Sequence, residues 1–470
     1  MTALGLLTVC KKNKNMDDIR LLIDFGSTFT KVVAVDLNRI EVMATARVPS
    51  TVETDITLGL EEALKEISGQ AHISNLEKRE ALACSSAAGG LRMVCSGFVP
   101  ELTSKAANLA ALGAGAKVIS CYSYKLTQQE VKEIEAIAPD ILLISGGTDG
   151  GDEQVIIHNA RLLSQTTNAI TNIVVAGNKT THDELRAIFN DNSKNVIYTK
   201  NVMPEIGVLD VAPCNREIRE LFMKRIIEAK GIARAKAVIK DVIMPTPSAV
   251  LEAAKLIAGG RGNDAGFGEV IVIDPGGATT DVHSIAKGNP SRPDIIMVGL
   301  PEPYEKRTVE GDLGLKYNLD RLMELVKDRE TPPHFNTIVK GFREGKIPET
   351  REEFACHLLL SCLMVEVAMD RHVGKIEVVY GPTGERLIQH GKDLTGVKNI
   401  IGTGGPIIFS QNPRQVLEGV LYQEANPFIL KPKAPKYYLD EQYILYAVGL
   451  LSQVEPKKAL SLARKYLKQI

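Results

Sequence analysis

Residues 272–283 read VIDPGGATTDVH, an apolar strand that runs directly into an Asp, a glycine pair and two threonines. Packing does not require any of these residues at the end of a buried strand. Glycine lets successive backbone amides close around an anion, hydroxyl groups donate to phosphate oxygens, and an Asp can hold Mg²⁺ through water. Taken by itself the stretch is also consistent with a tight hairpin turn. Other segments of the chain are needed to distinguish a phosphate-binding turn from a simple hairpin.

Two other segments share this design. Residues 21–32 (LLIDFGSTFTKV) place an Asp after an apolar strand and follow it with Gly, Ser and Thr, and residues 399–409 (NIIGTGGPIIF) place a glycine-rich turn after a third strand. One glycine turn is common, but three of them, two with an Asp at the same position, favour a phosphate-binding site. Neither a GxxxxGK[ST] P-loop nor a GxGxxG dinucleotide motif is present.

The composition excludes several classes of protein. The 470 residues suffice for roughly two to four domains, and 56 basic against 57 acidic residues give a net charge of -1, too small to gather nucleic acid or anionic lipid. Seven scattered cysteines form no CxxC pair, which favours reduced thiols. No apolar run reaches the about 20 residues that span a bilayer. We therefore expect a soluble cytoplasmic protein without nucleic-acid or membrane partners.

Regular alternation of helices and strands marks residues 105–200, from the helix SKAANLAALGAG to the strand NVIYT. Alternation at these lengths specifies right-handed crossovers and a parallel, doubly wound sheet. This region therefore predicts a complete Rossmann-like domain inserted within a larger one. The predicted segments are the first half of a lobe (17–100), the inserted domain (101–214), connecting helices (215–267) and a second lobe (268–470) with a helical subdomain (311–374).

The three turns resemble motifs of a known superfamily. DFGSTFTK resembles the first phosphate motif of acetate and sugar kinases, heat-shock chaperone ATPases and actin, DPGGATTD the second, and GTGGP the adenosine motif. From about residue 20 to 470 the chain also resembles the MutL or GlmL family of glutamate mutase accessory proteins, through the stretches GGTDGG, SSAAGGLRMV and RTVEGDLG. That family is related to the reactivating factors of diol dehydratase.

The resemblance implies an α/β architecture, the actin-like ATPase fold of two ribonuclease H-like lobes with an inserted doubly wound Rossmann-like domain. It implies ATP and Mg²⁺ as cofactors, with Asp24 and Asp274 as catalytic residues that hold the metal through water. Lys31 either neutralises phosphate charge or points away, and Asp281 either takes part in catalysis or pins the turn. The other implied nucleotide-binding residues are Gly26, Ser27, Thr28, Gly276, Gly277, Thr279, Gly311, Asp312, Gly402, Thr403, Gly404 and Gly405.

Residues 144–155 (ISGGTDGGDEQV) follow a strand of the inserted domain, at the edge where ligands bind in open α/β sheets. One interpretation is a second site that contacts a mutase subunit, a cobalamin group or a second nucleotide. The other is a tight turn and a helix cap. The residues of this possible second site are Gly146, Gly147, Asp149, Gly150 and Gly151.

We therefore expect an ATP-binding accessory or reactivating chaperone for an adenosylcobalamin-dependent mutase, either glutamate mutase or an amino mutase. As a weak ATPase, it would couple hydrolysis to closure of its two lobes. Its expected partners are the mutase subunits and ATP or ADP. The alternatives are a small-molecule kinase of the sugar kinase type and a nucleotide-binding scaffold without turnover.

Overall fold

A computed structural model of the protein describes most of the chain. The described residues are 18–26, 28–51, 54–73, 75–86, 91–166, 170–190, 194–228, 241–382 and 384–470. Ser27, which we assigned to the first phosphate turn, lies outside these ranges, as do the two glycines of SSAAGGLRMV.

The first lobe is built on a five-stranded mixed sheet. Its elements are β1 (Ile19–Phe25), β2 (Phe29–Asp36), β3 (Glu41–Pro49), α1 (Ile56–Ala71), β4 (Glu80–Ser85) and β10 (Asp241–Pro245). The strand order is β3-β2-β1-β4-β10, in which β1, β2 and β3 form an antiparallel meander and the other two strands run parallel. Asp55 caps α1 by accepting a hydrogen bond from the Thr57 amide.

The inserted domain carries a five-stranded parallel sheet in the order β6-β5-β7-β8-β9. Its elements are β5 (Arg92–Gly97), α2 (Lys105–Gly113), β6 (Lys117–Ser123), α3 (Gln128–Ile137), β7 (Ile141–Ile144), α4 (Gln154–Ser164), β8 (Asn172–Val175), α5 (His182–Phe189) and β9 (Asn195–Tyr198). The predicted doubly wound sheet is confirmed. Its order, with the second strand outside the first, is that of flavodoxin-like folds.

Two predicted boundaries are wrong. We placed the start of the inserted domain at residue 101, but β5 pairs with β6 and β7 and so belongs to the inserted sheet. A βαβ unit needs a strand before its first helix, and β5 supplies that strand for α2. The segment 215–267, assigned to connecting helices, also contributes β10 to the first lobe, between α6 (Ala212–Glu228) and α7 (Thr246–Gly259).

The second lobe repeats the topology of the first. In the order β16-β14-β13-β19-β20-β21, an antiparallel meander is again joined to two strands parallel to its inner strand, β13, and β21 adds an antiparallel edge strand next to β20. The strands of this sheet are β13 (Val270–Pro275), β14 (Thr280–Ile285), β16 (Glu305–Glu310), β19 (Asn399–Gly402), β20 (Lys436–Asp440) and β21 (Leu467–Gln469). The hairpin predicted around DPGGATTD is therefore confirmed. Because each lobe has the ribonuclease H-like strand order, the predicted actin-like fold class is confirmed.

Helices and two small sheets complete the second lobe. The helices are α8 (Leu319–Val326), α9 (Phe335–Arg343), α10 (Arg351–His372), α11 (Gly405–Ile408), α12 (Pro413–Leu417), α13 (Leu445–Ser452) and α14 (Pro456–Tyr466). A capping box of Thr350 and Glu353 starts α10, which buries its apolar residues against β13. The other strands are β11 (Gly260–Arg261), β12 (Asp264–Ala265), β15 (Ile295–Met297), β17 (Lys375–Gly381) and β18 (Gly384–His390). Among the described residues, no helix combines the length and apolar character needed to cross a membrane.

A shared core joins the two lobes. The buried residues of α7 and α13 pack together with Leu22 and Val33 of the first lobe and Val272 of the second. The two helices meet backbone to backbone, because a Cβ on Gly449 would lie 1.8 Å from the carbonyl oxygen of Ala249. The two lobes therefore share a close-packed contact between two helices.

We predict that Gly449→Ala destabilises the protein by about 1–3 kcal/mol, because the new methyl group overpacks this crossing. Gly69→Ala, at an exposed position of α1, is the matched control. A Cβ there has no neighbour within 4 Å, so the better helix former should be neutral or stabilising by up to about 1 kcal/mol. Thermal unfolding of both variants measures the difference, and equal melting temperatures would contradict the packing described for α7 and α13.

Candidate functional site

The central strands of both lobes end in aspartates that face one cleft. Asp24 lies near the end of β1, Asp274 near the end of β13, and Asp440 at the end of β20. Burial, followed by the carboxylates of Asp281, Asp24 and Asp440, raises the pKa of Asp274 from 3.8 to about 7. This shift reflects burial first and then the proximity of four carboxylates that tertiary structure brings together from distant parts of the chain.

Lys31 supplies the countercharge within this cluster. Its Nζ lies 2.7 Å from Oδ2 of Asp24 and 4.0 Å from the ring centre of Tyr443. Burial opposes the charge on Lys31, but the Asp24 carboxylate and the tyrosines raise its pKa well above the usual range. The Thr246 hydroxyl, at the start of α7, donates to the other oxygen of Asp24 at 2.5 Å. Lys31 therefore points into the cleft and holds Asp24.

Asp274 is the least engaged member of the cluster. No described residue gives its carboxylate a hydrogen bond or an ion pair. Gly404 packs directly on it, since a Cβ there would lie 2.6 Å from Oδ1 of Asp274, and its φ of +84° also favours glycine. The turn at residues 402–406, which we call the adenosine turn after the motif that it resembles, thus touches the second phosphate turn at residues 274–281. A carboxylate in this setting is suited to a cation that arrives with a ligand.

The adenosine turn is only partly directed at the cleft. The Thr403 hydroxyl donates to Asp440 at 2.9 Å, and Asp440 also accepts the amides of Ile444 and Leu445 at the start of α13. Thr403, which we assigned to the nucleotide, therefore has an internal hydrogen-bond partner. Two predicted glycines of the motif border other elements. A Cβ at Gly402 would contact Leu417 and Ile407, and Gly405 begins α11.

The two phosphate turns face each other. A Cβ on Gly277 would lie 3.7 Å from Oγ1 of Thr28, so the turn of one lobe reaches the turn of the other. Each turn is closed in the same way: the Gly26 amide donates to the carbonyl of Phe29 at 3.0 Å, and the Gly276 amide donates to that of Thr279 at 2.8 Å. These two amides hold the turns, and the partly exposed Thr28, Gly277 and Thr279 border the gap between them.

The segment from Gly311 to Lys316, which includes the predicted residues Gly311 and Asp312, supports the second phosphate turn from behind. The amides of Leu315 and Lys316 donate to the carbonyls of Gly276 and Gly277 at 3.1 and 2.9 Å. Asp312 itself is bound by two guanidinium groups, and the hydrogen bond from Arg371 is the main cause that lowers its pKa. The segment therefore buttresses the turn, and we find no cleft contact for Asp312 among the described residues.

Asp281, whose role the sequence left open, is an ion-pair partner. Its Oδ1 accepts a hydrogen bond from Nε of Arg307 at 2.8 Å, and Nη2 of Arg307 lies 2.6 Å away. Both side chains are buried. This pairing favours the interpretation that Asp281 pins the hairpin.

The GGTDGG loop is held closed by two asparagines that lie outside the motif itself. Asn178 accepts from the Gly150 amide at 2.9 Å, and Asn201 donates to the carbonyl of Gly147 and to Asp149, both at 3.0 Å. Although burial opposes it, the hydrogen bonds from the Asn201 side chain and the Lys179 amide lower the pKa of Asp149. Each asparagine follows the next strand along the sheet, and this repeated position after a strand was the available signal. The loop polar groups thus bind mainly one another.

Two ribonuclease H-like lobes with facing phosphate turns place the protein in the class of actin-like ATPase folds. Within that class the chain belongs to the MutL protein family, whose model matches residues 20–467. "Protein MutL" of Clostridium tetanomorphum is 45% identical over 462 residues, which cover 96% of this chain and 100% of the relative. The family resemblance inferred from the motifs is confirmed.

Solved structures align with the chain at low identity. The gluconate kinase of Lactobacillus acidophilus gives a TM-score of 0.37 at 12% identity, over 96% of this chain and 93% of the kinase. A glycerol dehydratase reactivase gives a TM-score of 0.31 at 10% identity, over 93% of this chain and 99% of the reactivase.

We predict that Asp274→Asn stabilises the nucleotide-free protein, and increasingly so as pH rises. A folded-state pKa of about 7 means that the native protein binds this proton more tightly than the unfolded chain, so the wild type loses stability as pH rises from about 4 to about 7. The variant should melt on the order of 2–4 °C higher than the wild type at pH 8, the shift that about 1 kcal/mol produces in a medium-sized domain, and at the same temperature as the wild type at pH 4.

The matched control is Asp294→Asn. Asp294 is exposed, and its hydrogen bond from Arg292 lowers its pKa, so this variant should bring no gain at pH 8. Scanning calorimetry at the two pH values gives the comparison. A constant or negative effect of Asp274→Asn at both values would contradict the charge crowding in the cleft.

Proposed function

We propose that the protein is an ATP-binding accessory or reactivating chaperone for an adenosylcobalamin-dependent mutase, either glutamate mutase or an amino mutase. The observation that carries the proposal is the pairing of two phosphate-type turns from opposite lobes, where a Cβ on Gly277 would lie 3.7 Å from Oγ1 of Thr28, beside the carboxylate of Asp274, which no described residue binds. Membership of the MutL family supports the accessory role. The mutase itself is what the family resemblance implies.

The carboxylates of the cleft fit Mg²⁺ that arrives bound to a nucleotide. Within the described part of the chain, no group of three or more His, Cys, Asp or Glu side chains is arranged to hold a metal alone. Mg²⁺ commonly uses one or two carboxylates together with substrate phosphates and water. Asp274 would supply the open carboxylate for the ion, and Asp24, already bound by Lys31 and Thr246, would support it from the other lobe. When bound, such an ion would neutralise phosphate charge.

The remaining predicted residues take simple roles in this proposal. The hydroxyls of Thr28 and Thr279 and the backbone of Gly277 bind the β and γ phosphates in the gap between the turns. Lys31 neutralises phosphate charge from within the cluster. Gly404 and Gly405 border the adenosine. Position 404 has to be glycine, because any side chain there would collide with Asp274. Hydrolysis is slow in this account and serves to open and close the lobes.

The carboxyl edge of the inserted sheet is the surface that we assign to the mutase. Gly150 and Gly151 are exposed there. The Asp149 amide donates to the carbonyl of Pro204 at 2.9 Å, which joins the loop to a neighbouring tip where Ile206 is 78% exposed. We assign this exposed apolar tip, together with the glycine loop, to the mutase contact.

Calorimetric titration tests nucleotide binding. The wild type should bind ATP in the presence of Mg²⁺ and bind it much less tightly in the presence of EDTA. Asp274→Ala should weaken binding at least about tenfold and remove most of the Mg²⁺ dependence, because the open carboxylate is lost. Asp294→Ala, at the exposed pair with Arg292, is the control and should bind as the wild type does. Wild type that binds no ATP would overturn the proposal.

A reactivation assay tests the accessory role. A mutase stopped by inactivated cobalamin should regain turnover when the protein, ATP, Mg²⁺ and fresh adenosylcobalamin are added. Asp274→Ala should not restore it, and Ile206→Asp should restore it less, because a charge is placed on the apolar tip. ATP consumption that rises with gluconate or glycerol while the mutase stays inactive would favour a small-molecule kinase instead.

A further inference from the structure

Arg307 on β16 contacts the second phosphate hairpin and the inserted domain at the same time. On one side it forms the ion pair with Asp281 at 2.6 and 2.8 Å. On the other, its Nη1 donates to the carbonyls of Leu112 and Ala116 at 3.0 and 3.2 Å. The side chain is 4% exposed, so water does not compete for these bonds.

The inserted-domain end of this contact is the turn that follows α2. The Leu112 carbonyl also accepts the Gly115 amide at 3.0 Å, and the partial negative charge at a helix C-terminus favours a guanidinium as a further donor. The same turn is held from α7, where the Ser248 hydroxyl donates to the carbonyl of Ala114 at 3.2 Å. Lys117, the first residue of β6, packs beside Gly311. The turn is therefore a joint between the inserted domain and the second lobe.

The cleft end of the contact includes a hydroxyl that the proposed nucleotide would use. The Thr279 hydroxyl donates to Oδ2 of Asp281 at 3.3 Å. A hydroxyl has one proton to donate, so Thr279 cannot serve Asp281 and a phosphate together. When Thr279 turns to the phosphate, Asp281 loses this donor and depends more on Arg307. The planar guanidinium has its donors in fixed directions, so a shift of Asp281 also changes its bonds to the turn after α2.

We propose that Arg307 is a positioning residue that transmits the nucleotide state of the cleft to the inserted domain. This inference rests on the proposed binding of ATP between the turns. A buried ion pair is weak evidence for stability alone, because replacing both charges by apolar groups is often neutral. Arg307 lies between the phosphate hairpin and a joint of the inserted domain, and this position suits it to couple the two.

The experiment is hydrogen exchange of the full chain with and without Mg²⁺ and a non-hydrolysable ATP analogue, read at the amides of residues 110–117. In the wild type the analogue should change exchange there at least about twofold. Arg307→Lys keeps the charge, but one ammonium group cannot hold Asp281 and both carbonyls in the same geometry. It should bind the analogue within about threefold of the wild-type Kd and lose at least about half of this change.

The control is Arg371→Lys. Arg371 binds Glu310 and Asp312 near the end of the same strand, with no described contact to the inserted domain, and its variant should behave as the wild type does. If Arg307→Lys does not fold, Asp281→Asn breaks the same contact from the cleft side and should give the same loss. A full response in whichever of these two variants folds, or none in nucleotide-bound wild type, overturns the inference. Wild type that binds no analogue overturns the proposed function first.

Discussion

The ion pair between Lys31 and Asp24 is the interaction on which the cleft depends. The two residues are directly opposite in the antiparallel register of β1 and β2, so their side chains share one face of the sheet. The ammonium group sits among carboxylates from both lobes and limits their mutual repulsion. Asp24, Asp281 and Asp440 each have partners, which leaves Asp274 with the charge that the cluster does not compensate. That residual charge is the basis of the proposed site for a cation bound to phosphate.

The fold delivers these groups to one place by repeating one topology twice. In each lobe the innermost strand of the meander ends in an Asp followed by a glycine turn, and the packing of α7 against α13 brings the two lobes into one body. The inserted domain does not add a residue to the cleft that we can identify among the described residues. It contacts the phosphate hairpin from behind, through Arg307, where it can respond to the cleft without closing it.

Local sequence predicted the parts whose chemistry is unusual for their position. An Asp and glycines after an apolar strand could be recognised because packing does not explain them. The alternating helices and strands could be recognised because the spacing of apolar residues differs between a helix and a strand. The direction of Lys31 was not predictable, because it depends on strand register. Asp440 and Tyr443 were missed because they join the cleft only through pairing of β20 with β19. The strand β5 was misassigned because a parallel partner distant in sequence decides its sheet.

The central claim is that a nucleotide binds between the two phosphate turns with its metal ion at Asp274. A crystal structure of the protein with Mg²⁺ and a non-hydrolysable ATP analogue tests this most directly. We expect the γ phosphate between Thr28 and Gly277, and the ion within direct or one-water reach of Asp274. A nucleotide bound at the edge of the inserted sheet, or a phosphate that leaves Asp274 without the ion, would contradict the account.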